Sequence, residues 1–318
     1  MTLPKPERSE VFPSRGVKGG MYMRLKYFII DNYKNIDHLE VNFNEKTVLP
    51  IIGGVSSGKT AIVEALSIMI DLISMKEIFN EHEVQYDIHM GNRTISVTLG
   101  DDSNEISYQV MFGNGKIRQE YYIVNGKNVI ASGESDTKHP FESIFWDSAK
   151  PDKSSIFNKY VYHSKLALEY HYNDFIDFFS CAKVITPEQF YKGKFKIGKY
   201  DFGSSVRLTQ EEYLAINKLC KAAHKDLALD KYIDNGDTDN FCQLTFKGSL
   251  INKFSVNVRM ILYSLIVMTS CSLLIFDDVN QEVLKIVNKY NEEDKQIIFT
   301  DYEPIIHLGS IQLSDSHF

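Results

Sequence analysis

The chain has 318 residues, 43% of them hydrophobic, and a formal net charge of −7 at pH 7. This length and composition predict a folded globular protein built as two ordinary domains or one enlarged α/β domain. The acidic balance argues against a surface that wraps nucleic acid nonspecifically, although a local basic face is compatible with it. The four cysteines include no C-x-x-C pair, so they indicate neither a zinc site nor a disulfide framework, which fits a reducing cytoplasm.

Two stretches bear on contact with a membrane. Residues 260–276 are strongly apolar, but the run is shorter than the ~20 residues of a typical span and contains Ser264 and Thr269. We therefore predict two buried elements there and no membrane partner. Residues 1–20 lack the apolar core of a signal peptide, and residues 1–22 are predicted to form a disordered tail.

The ordered part of the chain begins with strand signals. Residues 24–30 have the composition of a β-strand, residues 31–32 are predicted to form a turn, and residues 36–43 alternate as a second strand. The short apolar run at 48–52 is typical of a buried parallel strand. It leads directly into a glycine-rich loop.

This loop satisfies the P-loop pattern G-x-x-x-x-G-K-[ST], with Gly53, Gly58, Lys59 and Thr60 at the fixed positions. Glycines let backbone N–H groups point at phosphate oxygens, the lysine reaches the β- and γ-phosphates, and the threonine hydroxyl holds Mg²⁺. A helical pattern follows, so strand, loop and helix occur in the order that this cradle requires, which disfavours a chance match. The sequence therefore predicts a nucleotide-phosphate cradle formed by Gly53, Gly54, Val55, Ser56, Ser57, Gly58, Lys59, Thr60 and Ala61.

The middle of the chain changes character twice. Residues 86–130 alternate strongly between turn signals, which predicts an antiparallel meander. From about 140 to 235, apolar residues recur at helical spacing, which predicts a mainly helical insertion. The predicted organisation is a tail at 1–22, a part with the P-loop and meander at 23–139, the insertion at 140–235 and a closing α/β part at 236–318.

The closing part contains a second candidate site. Helical spacing at 258–269 is followed by a strand run at 272–276 that ends in Asp277 and Asp278. A strand-terminal Asp there can hold Mg²⁺ opposite the P-loop hydroxyl as a Walker B carboxylate, and the next acidic residue can orient or deprotonate the attacking water. The alternative is that the Asp only caps the following helix.

Together these features resemble the ABC-type ATPase heads of the SMC, RecF and OLD-like group, including AAA-like ATPases of bacterial abortive-infection and phage-defence systems. The resemblance covers most of the chain from residue 23. It is carried by the strand and turn at 24–36, the P-loop, Glu120 in the meander and the run 273–278. It implies an α/β P-loop NTPase of ABC-ATPase type, with a mixed sheet, an antiparallel β meander and a mainly helical insertion.

The resemblance also implies cofactors and roles for the site residues. ATP would be held by the P-loop of one head and, across an interface, by Ser255 of a second head, at the position of the family's signature serine. Mg²⁺ would be held by Thr60 and Asp277, and Lys59 and Asp278 would be catalytic.

The sequence departs from the family in three of its motifs. Val256 and Asn257 stand where the signature has glycines, Asp278 stands where the family has a catalytic Glu, and the histidine expected after the last strand is replaced. A carboxylate that is one methylene shorter displaces the catalytic group, and a displacement of about 1 Å can lower a rate on the order of 100-fold. These departures imply slow hydrolysis.

Three functions remain open from the sequence. The first is a slowly hydrolysing, ATP-gated switch in phage defence or DNA maintenance, forming a homodimer or higher homo-oligomer, with a possible separate effector protein and DNA as a possible partner; the effector rests on family analogy. The second is a nonhydrolysing scaffold that keeps ATP as a structural ligand. The third is a small-molecule kinase, which the meander at 86–130 fits poorly.

Overall fold

The computed structural model describes residues 23–43, 47–54, 56–74, 92–101, 103–113, 116–133, 145–147, 155–160, 163–232, 241–291, 295–301 and 311–312. The predicted tail at 1–22 and the predicted P-loop residue Val55 lie outside the described residues. The chain divides into two compact units. The P-loop unit comprises the described residues of Met21–Val184, Ser272–Asp277 and Asp294–Phe318, and the companion unit those of Ile185–Cys271 and Asp278–Glu293.

The strands and helices of the described chain have the following bounds. The first part contains β1 (Arg24–Tyr33), β2 (Ile36–Asn42), β3 (Val48–Ile52), α1 (Lys59–Ile73), β4 (Arg93–Gly100), β5 (Glu105–Gly113), β6 (Lys116–Val124), β7 (Lys127–Gly133), β8 (Phe145–Asp147), α2 (Ile156–Tyr160), α3 (Ser164–Glu169), α4 (Tyr172–Cys181) and β9 (Lys183–Ile185). The second part contains a 3₁₀ segment (Pro187–Gly193), β10 (Lys196–Ile197), β11 (Tyr200–Asp201), β12 (Val206–Arg207), α5 (Gln210–Ala223), β13 (Leu227–Tyr232), β14 (Phe241–Phe246), β15 (Ser249–Leu250), a second 3₁₀ segment (Ile251–Lys253), α6 (Val256–Met268), β16 (Leu273–Phe276), α7 (Gln281–Lys289), β17 (Gln296–Asp301) and β18 (Ile311–Gln312).

The P-loop unit contains a seven-stranded sheet in the order β2-β1-β4-β5-β6-β7-β8. Its strands pair antiparallel except for the parallel pair β7–β8, and β4 to β7 form the predicted meander. The predicted turn at 31–32 is wrong, because β1 continues to Tyr33 and turns at Lys34 and Asn35. Asn32 has a φ of 54°. Asn tolerates this left-handed conformation better than most residues, so the strand continues through it.

A second sheet in this unit carries the P-loop. Its strands lie in the order β18-β3-β17-β16-β9, and β3 pairs in parallel with both β17 and β18. Strand β17 also pairs in parallel with β16, so it lies between the strand that enters the P-loop and the strand that ends at Asp277. All three strands are largely buried, as their continuous apolar sequences predict.

An aromatic cluster joins the antiparallel sheet to the helices of the P-loop unit. Phe157 of α2 lies with its ring centroid 4.8 Å from Tyr108 of β5 and 5.2 Å from Tyr172 of α4. At its centre Glu120 of β6 is 1% exposed, and its Oε1 accepts hydrogen bonds from the Tyr108 hydroxyl at 2.6 Å and the Ile156 N–H at 3.1 Å. Burial raises the pKa of Tyr108 well above its ordinary value, and the Glu120 charge adds to the rise. The carboxylate therefore fixes the start of α2 against the sheet.

We expect Glu120→Ala to lower the free energy of unfolding by about 2–4 kcal/mol, because it leaves the Tyr108 hydroxyl and the Ile156 N–H buried without an acceptor, at roughly 1–3 kcal/mol each. Urea denaturation of the full chain measures the change. The matched control is Glu105→Ala, which removes an exposed carboxylate from the neighbouring strand β5 and should change stability by less than about 0.5 kcal/mol. Equal losses in the two variants would contradict the anchoring role.

The companion unit is built on the three-stranded path β12-β14-β13, to which β15 adds by pairing with β14. Helix α5 begins at a complete capping box, in which Thr209 and Glu212 each accept a hydrogen bond from the other's backbone N–H. Helix α6 packs against both α5 and α7. Its apolar sequence explains its burial among these neighbours.

The predicted fold class is confirmed by this architecture. The chain has an α/β fold with a P-loop, in which an antiparallel meander accompanies a second sheet that leads into the P-loop. The apolar run at 260–276 separates into α6 and β16, which are the two buried elements that the sequence predicts there. Within the described ranges, no helix combines the length and apolarity needed to cross a membrane.

Candidate phosphate and metal site

The P-loop connects the end of β3 to the start of α1. Gly58 is the N-cap of α1 and has a φ of 80°, and Ser56 has a φ of 65°. Left-handed residues of this kind turn the chain tightly enough for neighbouring N–H groups to face one concave side. Helix α1 has no acidic residue in its first turn, so the partial positive charge of its amino end is not offset there. The loop therefore has the backbone form of an anion cradle.

Lys59 lies across this loop. It is 7% exposed, and its Nζ donates hydrogen bonds to the carbonyl oxygens of Gly53 at 2.7 Å and Gly54 at 2.6 Å. These two bonds hold the ammonium at the glycine-rich turn. The Lys59 ammonium is therefore positioned at the loop before a phosphate binds there.

The cavity at this loop has a volume of about 270 Å³. Its walls include most of the described residues that the sequence predicts for the cradle, namely Ser56, Ser57, Gly58, Lys59, Thr60 and Ala61. Thr60 is exposed at the cavity, whereas the Ser57 hydroxyl is buried and has no hydrogen-bond partner among the described residues. A buried hydroxyl without a partner is uncommon and suits a ligand that brings an acceptor.

The other wall of the cavity comes from residues that sequence reasoning missed. Lys34 and Asn35 form the turn between β1 and β2, and Glu64 lies on α1. Lys34 pairs with Glu64, while Asn35 Nδ2 donates to the Ser56 carbonyl at 3.3 Å. One signal was available: Glu64 is four residues after Thr60, and residues at that spacing share a helix face. Local sequence does not predict that the turn between β1 and β2 lies against the P-loop.

Asp277 reaches the same edge of the sheet as the P-loop. Phe276 of β16 pairs with Phe299 of β17, which pairs with Pro50 of β3, so the carboxyl ends of the three strands lie side by side. In open α/β sheets, ligands bind outside the carboxyl ends of the strands. The structure thus places Asp277 and Thr60, the predicted magnesium ligands, at one edge.

Thr300 orients the Asp277 carboxylate. Its Oγ1 donates a hydrogen bond to Asp277 Oδ1 at 2.9 Å, and Thr300 is 3% exposed. It stands in the segment where the resemblance leads one to expect a histidine. A hydroxyl there can position the carboxylate, but it offers no group that titrates near neutral pH.

Asp278 is the first residue of the companion unit after β16, and it is exposed with a φ of 53°. The helix that follows is capped by another residue, since Asn280 Oδ1 accepts a hydrogen bond from the Glu282 N–H at 2.8 Å. Neither Asp277 nor Asp278 is therefore the N-cap of α7. The capping interpretation of this acidic pair does not apply.

Ser255 lies in the companion unit as the N-cap of α6. Its Oγ accepts a hydrogen bond from the Val258 N–H at 3.4 Å, and the residue is exposed. The predicted role of Ser255 at the nucleotide of a second head stays a prediction. In the described part of the chain, no group of three His, Cys, Asp or Glu side chains is arranged to hold a metal ion.

This chain is similar in fold to several solved structures, all of low sequence identity. No family model and no curated protein matches this sequence. A structure of the SmcHead bound to the C-winged helix domain of ScpA is 10% identical, covers 89% of this chain and 91% of its own, and has a TM-score of 0.49. The recombination mediator protein RecF with ATPrS, of the RecFOR pathway, is 12% identical, with coverages of 92% and 97% and a TM-score of 0.46. An Smc head domain with an extended coiled coil bound to the C-terminal domain of ScpA, from Pyrococcus furiosus, is 9% identical, with coverages of 88% and 90% and a TM-score of 0.43. At these identities the fold of the chain rests on its own strand order and P-loop.

Proposed function

We propose that this chain is an ATP-binding, slowly hydrolysing ATPase of ABC type that acts as a nucleotide-gated switch. The observation that carries the proposal is the P-loop cavity, with the buried Lys59 ammonium at the loop and the amino end of α1 beneath it. The buried strand β3 holds one end of this loop and the buried face of α1 holds the other, so the cradle exists before a ligand arrives. Backbone N–H groups arranged in this way at a helix amino end bind phosphate groups in P-loop proteins.

The residues present fit ATP and Mg²⁺. Backbone amides of the loop and Lys59 would hold the phosphates, and Thr60 and Asp277 offer the hydroxyl and carboxylate oxygens that Mg²⁺ prefers. Mg²⁺ would neutralise charge on the transferred phosphate when bound. Thr300 would keep Asp277 in position, and Asp278, which follows Asp277 directly, would accept the proton of the attacking water.

The wider role is proposed from the resemblance. The head would pair with a second copy through its ATP-loaded face and act with a separate effector protein in phage defence or DNA maintenance. This part of the proposal rests on family analogy alone.

Steady-state ATP turnover, combined with analysis of the nucleotide that stays bound, tests the proposal. An ATPase with the proposed role releases phosphate slowly and requires Mg²⁺, and the bound nucleotide shifts from ATP to ADP over the same period. ATP that stays intact on the protein would support the nonhydrolysing scaffold as the alternative. That alternative is favoured by Thr300, whose hydroxyl does not titrate near neutral pH in the segment where a histidine is expected. Absence of ATP binding would reject the proposal.

We expect Asp278→Asn to lower turnover at least about 100-fold while ATP binding is kept, because general-base catalysis contributes about 10²–10⁴-fold. Asn tolerates the left-handed backbone of this position as well as Asp does, so the substitution removes the charge without straining the chain. Single-turnover hydrolysis and equilibrium ATP binding measure the two effects separately. The matched control is Asp226→Asn, which removes a carboxylate beyond the end of α5. Turnover of Asp278→Asn equal to that of the parent would show that Asp278 is not the base.

A further inference from the structure

The antiparallel sheet of the P-loop unit has an inner and an outer face. Val97 of β4 and Tyr108 of β5 belong to the buried core, and the residues that alternate with them point to the opposite side. The strand register carries this outer face across β1, β4, β5, β6 and β7. Its central row consists of Ser96, Gln109, Tyr121 and Ala131, each lying opposite the next on the neighbouring strand.

The centre of the outer face carries no charge. Within residues 94–98, 107–111, 119–123 and 128–133, all of which the structure describes, every outward position holds an uncharged residue. Charged residues of this face lie at its margins, namely Glu105 at the start of β5 and Asp31 and Glu40 on β1 and β2. Protein interfaces are distinguished by a centre depleted of charge and enriched in Tyr and Met, as Tyr121 and Met111 are here.

Polar side chains of the outer face bond to one another. The hydroxyl oxygens of Thr98 and Ser107 lie 2.8 Å apart, and the Tyr121 hydroxyl donates a hydrogen bond to Gln119 Oε1 at 3.3 Å. Thr98 is 7% exposed and Tyr121 is 9% exposed, although both point outward. Burial of a polar group is unfavourable mainly when it loses its hydrogen bonds. These groups keep their partners when a second surface covers them.

The outer face has a raised centre and low flanks. Large side chains occupy the two central strands β5 and β6, namely Gln109, Met111, Gln119, Tyr121 and Ile123. Small residues occupy the flanking strands β4 and β7, namely Thr94, Ser96, Thr98, Ala131 and Gly133. Two sheets pack face to face when their side chains interdigitate. The raised centre of one such face can lie over the low flank of an identical face, and a two-fold axis repeats the same fit in return.

We propose that this outer face is a self-association surface, which binds the same face of a second copy of the chain. Neighbouring strands lie about 4.8 Å apart and alternate residues about 6.8 Å apart, so five strands with three outward residues each present roughly 500 Å² per copy. Two copies would bury about 1,000 Å², which is close to the lower limit for a specific interface. An area of this size predicts a reversible dimer.

The charge of the chain favours a second copy as the occupant. The net charge is −7, so two copies repel each other, and a close contact between them is stable where uncharged side chains meet. A two-fold contact brings the same patch together from both sides, so any charge at its centre would face a like charge. A nucleic acid or a strongly charged protein would find no counter-charge at the centre of this face.

Sedimentation of the full chain without nucleotide tests the proposal, in a Lys59→Ala background that removes any contact through an ATP-loaded face. This chain should form a reversible dimer. Adding Gln109→Glu should weaken dimerisation about tenfold or more, because it places like charges in the interface. The matched control Asn173→Glu adds the same charge at an exposed position of α4 and should leave dimerisation unchanged. A monomeric parent, or a dimer that Gln109→Glu does not weaken, would overturn the proposal.

Charge reversal identifies the occupant of the face. Gln109→Lys alone should weaken dimerisation as Gln109→Glu does, and an equal mixture of the two variants should associate more tightly than either alone, because opposite charges then meet. Ser96 lies opposite Gln109, so Ser96→Glu and Ser96→Lys repeat the test at a second position. Thermal melts check that each variant folds. A mixture that associates no more tightly than its separate variants, at both positions, would overturn a second copy as the occupant.

This self-association surface does not rest on the proposed ATPase function. Its dimer forms without nucleotide, whereas the proposed pairing through the P-loop face needs ATP. A parent that binds no ATP but dimerises through the outer face would reject the ATPase function and support the surface. A parent that binds ATP but stays monomeric without nucleotide would reject the surface and leave the ATPase function standing.

Discussion

Replacing Lys59 with Ala is expected to lower ATP affinity about 100-fold or more. The variant loses the Lys59 ammonium, which bonds to the Gly53 and Gly54 carbonyls and would face the β- and γ-phosphates. In the complex this ammonium would donate to phosphate oxygens, and two such charged hydrogen bonds contribute roughly 3–6 kcal/mol, which corresponds to at least about two decades in the dissociation constant. Equilibrium titration with ATP and Mg²⁺ measures the loss.

The fold should survive this substitution. Helix α1 is anchored by its buried residues Ile62, Leu66 and Met69, which Lys59→Ala does not touch. A thermal melt within a few degrees of the parent is the check. The matched control is Lys165→Ala on α3, an exposed lysine 3.9 Å from Glu169, which should bind ATP as the parent does. An ATP affinity of Lys59→Ala equal to that of the parent would contradict the assignment of the phosphate site.

The second large effect is expected at Asp277. Asp277→Asn should weaken ATP binding about 10- to 100-fold in the presence of Mg²⁺ and leave Mg²⁺-free binding unchanged. Asn keeps the shape of the side chain and an oxygen that can accept the Thr300 hydroxyl hydrogen bond, but it removes the charge that Mg²⁺ prefers in a ligand. Titrations with and without Mg²⁺ separate the Mg²⁺-dependent part of ATP binding from the part that does not need the metal.

Thr300→Val supplies the matched control for Asp277. It removes the hydroxyl that bonds to Asp277 Oδ1 at 2.9 Å and keeps the volume and the carboxylate. A positioning role predicts a Mg²⁺-dependent loss that is smaller than that of Asp277→Asn. If Asp277→Asn loses the same affinity with and without Mg²⁺, Asp277 acts on the fold of the sheet edge and not on the metal.

The sequence by itself determined the parts of the site that depend on local order. Gly58, Lys59 and Thr60 follow an apolar strand and open a helix, and this order alone requires a tight turn with amides facing one side. The alternation in β4 and β5 likewise predicts a meander, because successive side chains of a strand point to opposite faces of the sheet. These features arise between residues that are neighbours in the chain.

The turn predicted at residues 31–32 is wrong because pairing with distant strands overrides the local turn preference. Asp31 and Asn32 have the composition of a turn, yet pairing with β2 and β4 carries β1 on to Tyr33. The hydrogen bonds of two neighbouring strands outweigh the turn preference of two residues, since propensity is weak against tertiary contacts. The turn therefore moves to Lys34 and Asn35, where it forms a wall of the phosphate cavity.

Only the tertiary structure decided which distant residues meet. The order of β3, β17 and β16 brings Thr300 to Asp277 and sets both at the edge where the P-loop begins. Only the folded structure shows that the Ser57 hydroxyl is buried without a hydrogen-bond partner among the described residues. Strand order and the satisfaction of buried polar groups depend on contacts between residues far apart in the chain, and a single sequence does not encode these in any local pattern.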